Sequence, residues 1–326
     1  MTVTRGHPAF SKSYEMKWLC CGIRCTLLIG GGELNKKNYK IKMSINCFYI
    51  PALILFSIFV VFPLLKGIFL SFTNWNGYSQ NYKMVGAANY IKLLTDKNVW
   101  HSFWNTIIYG FGSTLLQNVL GLSFAIFLNQ KFKGRSVIRT IIYLPVMIAP
   151  LIMGYIMYFF VAYDGGALND VLALFGAAPM DWMREGNRAV IIMMLINSLQ
   201  YVGVAMVIYL AGLQNIPNMY FEAASIDGVN KWGQFRYITL PLLIPAISSA
   251  VIINLIGGLK LFDIIMALTS GGPGYASHSL STLVHVTYFR SENAGYASAI
   301  GLVAFLLIMI VNTMFSKYFD KKEVEM

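Results

Sequence analysis

Eight polar side chains lie inside long apolar stretches: Gln117 and Asn118; Asn197, Gln200 and Tyr201; Asn254, Lys260 and Asp263. Lipid makes such groups costly unless they face protein or water. Amides, a phenol, an ammonium and a carboxylate can exchange hydrogen bonds with a polar solute. That chemistry is binding, not bond-breaking. Lys260 and Asp263 stand three apart, so on a continuous helix they can pair with each other. Two readings stand side by side at this point. Either these groups glue helices together, or they line a water-filled path for a polar solute.

Other reactive residues form no pattern. His7, His101, His278 and His285 fall in tails and outer loops, with no catalytic or metal-binding spacing. Cys20, Cys21 and Cys25 cluster near the start and Cys47 stands apart. They lack the matching pair or histidines of a zinc site, and a chain of this size needs no disulfide framework. A phosphate loop of the Gly-x-x-x-x-Gly-Lys-Ser/Thr type is absent: Gly165-Gly166 and Gly271-Gly272 lack the lysine that must follow. If ATP drives this protein, another chain binds it. No metal, no cofactor and no enzyme chemistry are expected.

The elements that must position the polar groups are apolar helices. The 326 residues are 57% hydrophobic and 12% charged, with a mean hydropathy of +0.60. That excludes an ordinary soluble domain. The net charge of +11 sits in loops and tails, where lipid headgroups and topology explain it better than nucleic acid. Six runs approach the roughly 20 residues that a bilayer requires. They cover 45–72, 103–129, 138–162, 189–213, 240–268 and 297–319. The expected fold class is all-α, a polytopic membrane protein of six transmembrane helices. Residues 1–44 form a basic N-terminal segment, 45–320 the transmembrane domain and 321–326 a tail.

Charge orients the chain. The N-terminal segment, the 130–139 loop, the 214–237 loop and the C-terminal tail, counted with Lys317 at the end of the last span, together hold 17 of the 25 lysines and arginines, and the three other loops hold six. Positive loops stay inside, so both termini and the 214–237 loop are expected in the cytoplasm. Within residues 1–44, the run Trp18 to Leu28 is broken by Arg24 and too short to span. A surface-lying segment is one reading. An over-long start is another, with Met43 standing behind Lys36, Lys37, Lys40 and Lys42 and just ahead of the first span. The outer segment 269–296, with Gly271, Gly272, Pro273 and Gly274, reads as rich in turns.

The stretch from Glu222 to Pro245 is different in kind: polar, helix-forming and caught between two spans. Asn215 is placed to cap a helix with Pro217 in its first turn. Glu222, Ala223 and Ala224 favour helix. Gly228, after Asp227, is placed to end it in the left-handed conformation. Asn230 is placed to cap a second helix that sets Trp232 and Phe235 on one face.

Glu222, Ala223, Ala224, Gly228, Ile238, Leu240 and Pro241 stand at the spacing of a known motif. This stretch resembles the EAA loop of the membrane subunits of binding-protein-dependent ABC importers. In that family the loop is the coupling helix, which seats in a groove of the cytoplasmic ATPase. The resemblance assigns ATPase coupling to Glu222, Ala223, Ala224, Asp227 and Gly228. Weaker segments extend it over roughly residues 45–320. They include Gly86 to Tyr90, Trp104 to Thr106, Tyr143 to Pro145, Ala211 to Gln214, and Leu259 to Asp263 followed by Leu268 to Pro273. Together they resemble the larger permease subunits of the maltose and multiple-sugar type.

The resemblance implies one half of a sugar or oligosaccharide importer in the bacterial cytoplasmic membrane. A second homologous permease, two ATPase subunits and an extracytoplasmic solute-binding protein would be its partners. It places Leu259, Lys260 and Asp263 on sugar-contacting positions, with Tyr201 at similar depth and Asn197 and Gln200 beside it. The family often carries asparagine where this chain has Lys260 and Asp263. A permease for another small solute, and a stand-alone secondary carrier, remain the alternatives.

Overall fold

The computed structural model describes residues 49–322. The basic N-terminal segment, all four cysteines and the last four residues lie outside the described residues. Contacts divide the chain into two units, residues 1–59 and 60–326. In the first, residues 49–59 are the opening turns of α1 (Ile50–Leu70), with every side chain exposed. They are almost wholly apolar, as a lipid-facing helix surface must be.

In the second unit the apolar runs become helices. These are α3 (Lys97–Asn129), α7 (Gly186–Gln214), α10 (Ile244–Leu259) and α13 (Ala294–Asp320). Short helices α2 (Ala88–Thr95) and α6 (Ala167–Leu174) sit in the connecting loops. Among the described residues, five helices are long and apolar enough to cross a membrane, and a bent pair brings the total to six.

That bent pair stands where the third span is expected. Helix α4 (Arg135–Met147) meets α5 (Pro150–Val161) at 100°. Ala149 is extended, φ −57° and ψ 135°, because the ring of a following proline disfavours helical backbone at the residue before it. The break frees backbone carbonyls at membrane depth, where an unmet acceptor is costly. The Gln200 side chain of α7 donates to the Ile148 carbonyl at 3.1 Å and so meets one of them.

The fifth run is also interrupted. Helix α10 stops at Leu259, Lys260 has φ −95° and ψ 8°, and α11 (Asp263–Leu268) starts anew. The Leu261 carbonyl in the gap accepts from Ser279 Oγ at 2.7 Å. Lys260 and Asp263 therefore stand on opposite sides of a break, not one turn apart on one helix. They form no ion pair; among the described residues only Arg188 and Glu185 approach within 4.0 Å, at 2.9 Å.

The 269–296 segment is more ordered than its glycines suggest. It contains α12 (Leu280–Phe289), opened by a capping box between Ser279 and Thr282. Asn105 Nδ2 donates to the carbonyls of Ala276 and His278 at 2.7 and 3.0 Å. Tyr109 donates to the Ser277 carbonyl, and Thr106 Oγ1 accepts from the Leu280 amide, each at 2.9 Å. Two segments far apart in sequence are thus one hydrogen-bonded unit. His278 belongs to it, buried with Nδ1 3.0 Å from Thr282 Oγ1. Burial and nearby Arg290 lower its pKa to about 4, so it is neutral at pH 7.

Helices α3, α7 and α10 pack around one axis of contact. At Gly258 an added Cβ would stand 2.8 Å from the Tyr109 carbonyl oxygen and 2.9 Å from Gly110 Cα. Only glycine admits that approach of α10 to α3. It brings the polar residues of three helices to one place.

Candidate functional site

That place is a cavity of about 270 Å³ at the break in the fifth span. Gln117 enters from α3, Asn197 and Tyr201 from α7, Asn254 from α10, and Lys260, Phe262 and Asp263 from the break and the start of α11. Irregular backbone at membrane depth is tolerated where it is buried in protein or lines a cavity. Here residues 260–263 do line one.

Of the residues proposed from sequence, Asn197, Tyr201, Lys260 and Asp263 share the lining. Gln200 and Leu259 do not. Gln200 is fully buried against the bend of the third span. Leu259 is 1% exposed and packs on Gly110. Both neighbours of the cavity hold its walls.

Two further residues belong to the lining. Gln117, 1% exposed, donates through Nε2 to the Asn197 carbonyl at 3.0 Å, and its Oε1 meets no protein partner. Asn254, 5% exposed, has Nδ2 without a protein partner. Leaving a buried polar atom unpaired costs about 1–3 kcal/mol. An unpaired acceptor and an unpaired donor on residues that line one cavity complement a ligand that offers both, such as a hydroxyl group. Tyr201 and Phe262 add aromatic surface for an apolar ring face. The polarity of Gln117 and Asn254 inside apolar runs was the signal; that they line one cavity needed the fold.

The second site is the loop between α7 and α10. Helix α8 (Asn218–Ile226) is followed by α9 (Lys231–Gln234), which continues as a wider turn over Phe235–Thr239. Asn215 does not cap α8. It ends α7, its amide shared between the Ala211 and Gly212 carbonyls, and Pro217 stands at the N-cap of α8. Pro217 is extended there, with ψ 136°.

The corner follows the spacing closely. Gly228 has φ +74°. Its amide donates to the Ser225 carbonyl at 3.2 Å, and the Val229 amide to the Ala224 carbonyl at 2.9 Å. This is the Schellman pattern that a left-handed glycine permits. Asn230 Oδ1 accepts from the Gly233 amide at 2.8 Å, and the Trp232 and Phe235 rings lie 5.6 Å apart. Gln234 Nε2 reaches back to Ser225 Oγ at 3.2 Å, a tie between the two helices that spacing did not reveal. Ala224 is buried beneath, whereas Glu222, Ala223, Asp227 and Gly228 are exposed. Ile226 and Trp232 are 87% and 71% exposed, an apolar surface on a prefolded loop.

Known proteins share this architecture and sequence. The family described as binding-protein-dependent transport system inner membrane component matches residues 117–324. The trehalose/maltose transport system permease protein MalF of Thermococcus litoralis is 32% identical over 268 residues, 82% of this chain and 90% of its own. The multiple sugar-binding transport system permease protein MsmF of Streptococcus mutans is 36% identical over 277 residues, 85% of this chain and 95% of its own. Among solved structures, a chain of a bacterial ABC transporter involved in import of the acidic polysaccharide alginate aligns with a TM-score of 0.75. It is 22% identical, over 87% of this chain and 98% of that one; the likeness is one of fold. The chain belongs to the family of binding-protein-dependent transport system inner membrane components.

Proposed function

We propose that this chain is one half of the pathway of an ATP-driven importer for a sugar or oligosaccharide. The observation that carries the proposal is the cavity at the broken fifth span. It combines unpartnered amides, aromatic faces and two unpaired charged side chains. Relatives named for sugar transport support that choice of solute. The cavity is smaller than the roughly 300–1,000 Å³ of complete small-ligand pockets. A second, homologous permease would close it from the other side.

ATP hydrolysis would reside in two partner subunits, and the chain itself would catalyse no reaction and hold no cofactor or metal. An extracytoplasmic binding protein would deliver the solute; the related alginate transporter has been solved with such a periplasmic protein. Glu222, Ala223, Ala224, Asp227 and Gly228 would seat α8 on an ATPase. Closure of the ATPases would rock the two permeases, opening the cavity outward and then inward. Deleting this chain is expected to abolish uptake of the sugars that the partner binding protein retains from a radiolabelled panel. Undiminished uptake would refute the assignment, and retention of amino acids instead would identify the other solute class.

The topology that goes with this reading has both termini and the α8–α9 loop in the cytoplasm of a multi-pass bacterial membrane protein. Cysteines placed singly at Lys133, Asn230 and Lys322 are expected to resist an impermeant thiol reagent in intact cells, whereas one at Asp181 reacts. Labelling at Asn230 from outside would invert the arrangement.

A further inference from the structure

A second opening, of about 470 Å³, lies between the chain leaving the α8–α9 loop and the end of α13. Leu240, Ile244 and Ile247 line one wall and Phe319 the other, while Arg236 and Lys322 complete the lining. Among the described residues the lining contains two cations and no carboxylate. Arg236 makes no ion pair within 4.0 Å among the described residues. The Lys322 ammonium donates to the Tyr318 hydroxyl at 2.6 Å and lies 4.4 Å from that ring's centroid. Tyr237 and Tyr318 are 79% and 52% exposed. Tyrosines in this setting belong to the headgroup level of a bilayer. A groove with an apolar length and a cationic end matches a molecule with an apolar chain and an anionic head.

We propose that this groove binds an anionic phospholipid. Its phosphate would lie between Arg236 and Lys322, with an acyl chain along Leu240, Ile244 and Ile247. One headgroup then joins the exit of the coupling loop to the end of the last span. The lipid stiffens the link through which the loop's movement reaches the helices. Only this consequence rests on the importer reading; retention of the lipid by the chain does not.

The test uses the purified full-length chain in nanodiscs of equal palmitoyl-oleoyl phosphatidylglycerol and phosphatidylcholine. Lipid retained after transfer to detergent is counted by native mass spectrometry. The wild type is expected to retain phosphatidylglycerol preferentially. The double change Arg236→Gln with Lys322→Gln is expected to reduce that preference about tenfold, since each basic residue near a headgroup contributes to anionic lipid binding. A second variant, Ile247→Trp, leaves the charges alone and fills the apolar wall; it is expected to lower the amount retained. Thermal unfolding of each variant checks that it remains folded. Equal retention of the two lipids by the wild type would overturn the proposal. So would an unchanged preference in the double variant, or unchanged retention in Ile247→Trp. Because neither an ATPase nor a sugar is present, failure here leaves the importer reading intact.

Discussion

Gly228→Val is expected to lower solute-stimulated ATP hydrolysis of the assembled complex by about tenfold or more, while leaving insertion of the chain in the membrane unchanged. The reason is local. Gly228 sits at φ +74°, and left-handed backbone costs a residue with a Cβ roughly 1–2 kcal/mol, more when the side chain is β-branched. No atom lies within 4 Å of the position a Cβ would take. The penalty is therefore conformational and owes nothing to crowding. That separation yields an order among substitutions. Gly228→Asn should retain most coupling, because asparagine tolerates the left-handed region. Gly228→Ala should fall between, and Gly228→Val should be worst. Glu222→Ala, on the exposed face of α8, should weaken coupling less than Gly228→Val. Wild-type stimulation in Gly228→Val would remove the corner from the coupling path.

The cavity variants have the next largest expected effect. Tyr201→Ala and Asp263→Ala are each expected to raise the sugar concentration for half-maximal transport by about tenfold, as loss of a hydrogen bond to a charged or buried group implies. Complex assembly and basal ATP hydrolysis should stay unchanged, because both residues are remote in sequence from the α8–α9 corner. Gln117→Leu and Asn254→Leu carry a sharper contrast. Gln117→Leu gives up the bond to the Asn197 carbonyl and should weaken transport at some cost in stability, whereas Asn254→Leu removes a buried amide with an unmet donor, so it should stabilise the empty protein or leave it unaffected while weakening transport. A residue serving only as helix glue would do the opposite on stability. Wild-type transport by both Tyr201→Ala and Asp263→Ala across a range of concentrations would place the sugar wholly in the partner permease.

Much of this was legible in the sequence where the governing physics is local. A run of apolar residues near bilayer length becomes a span whatever surrounds it. The α8–α9 corner is likewise local: Gly228 and Asn230 act on backbone groups within a few residues, so spacing sufficed. The two interrupted spans were less accessible. Pro145 and Pro150 were visible signals of a bend in the third span, yet its hydropathy is unbroken, and hydropathy says nothing of direction. At the fifth span no proline marks the break. The gap at 260–262 is held by Ser279, eighteen residues away, a tertiary contact that helical periodicity cannot contain. The pairing that a continuous helix would have allowed between Lys260 and Asp263 is absent for that reason. The place of Gln200 was hidden in the same way, because its partner carbonyl is Ile148, 52 residues distant. Helix α12 was hidden by its length and by a capping box closed with Thr282 instead of the more familiar glutamate or glutamine.

In the proposed importer, ATP hydrolysis in partner subunits drives a sugar through a path this chain half encloses. Purified complex in liposomes, with the solute-binding protein and a radiolabelled sugar that it retains on one side, tests it directly. Accumulation should require ATP on the side of the α8–α9 loop, persist when ion gradients are collapsed, and fall with Gly228→Val. Accumulation without ATP that follows an imposed ion gradient would rule out an ATP-driven importer and identify a secondary carrier.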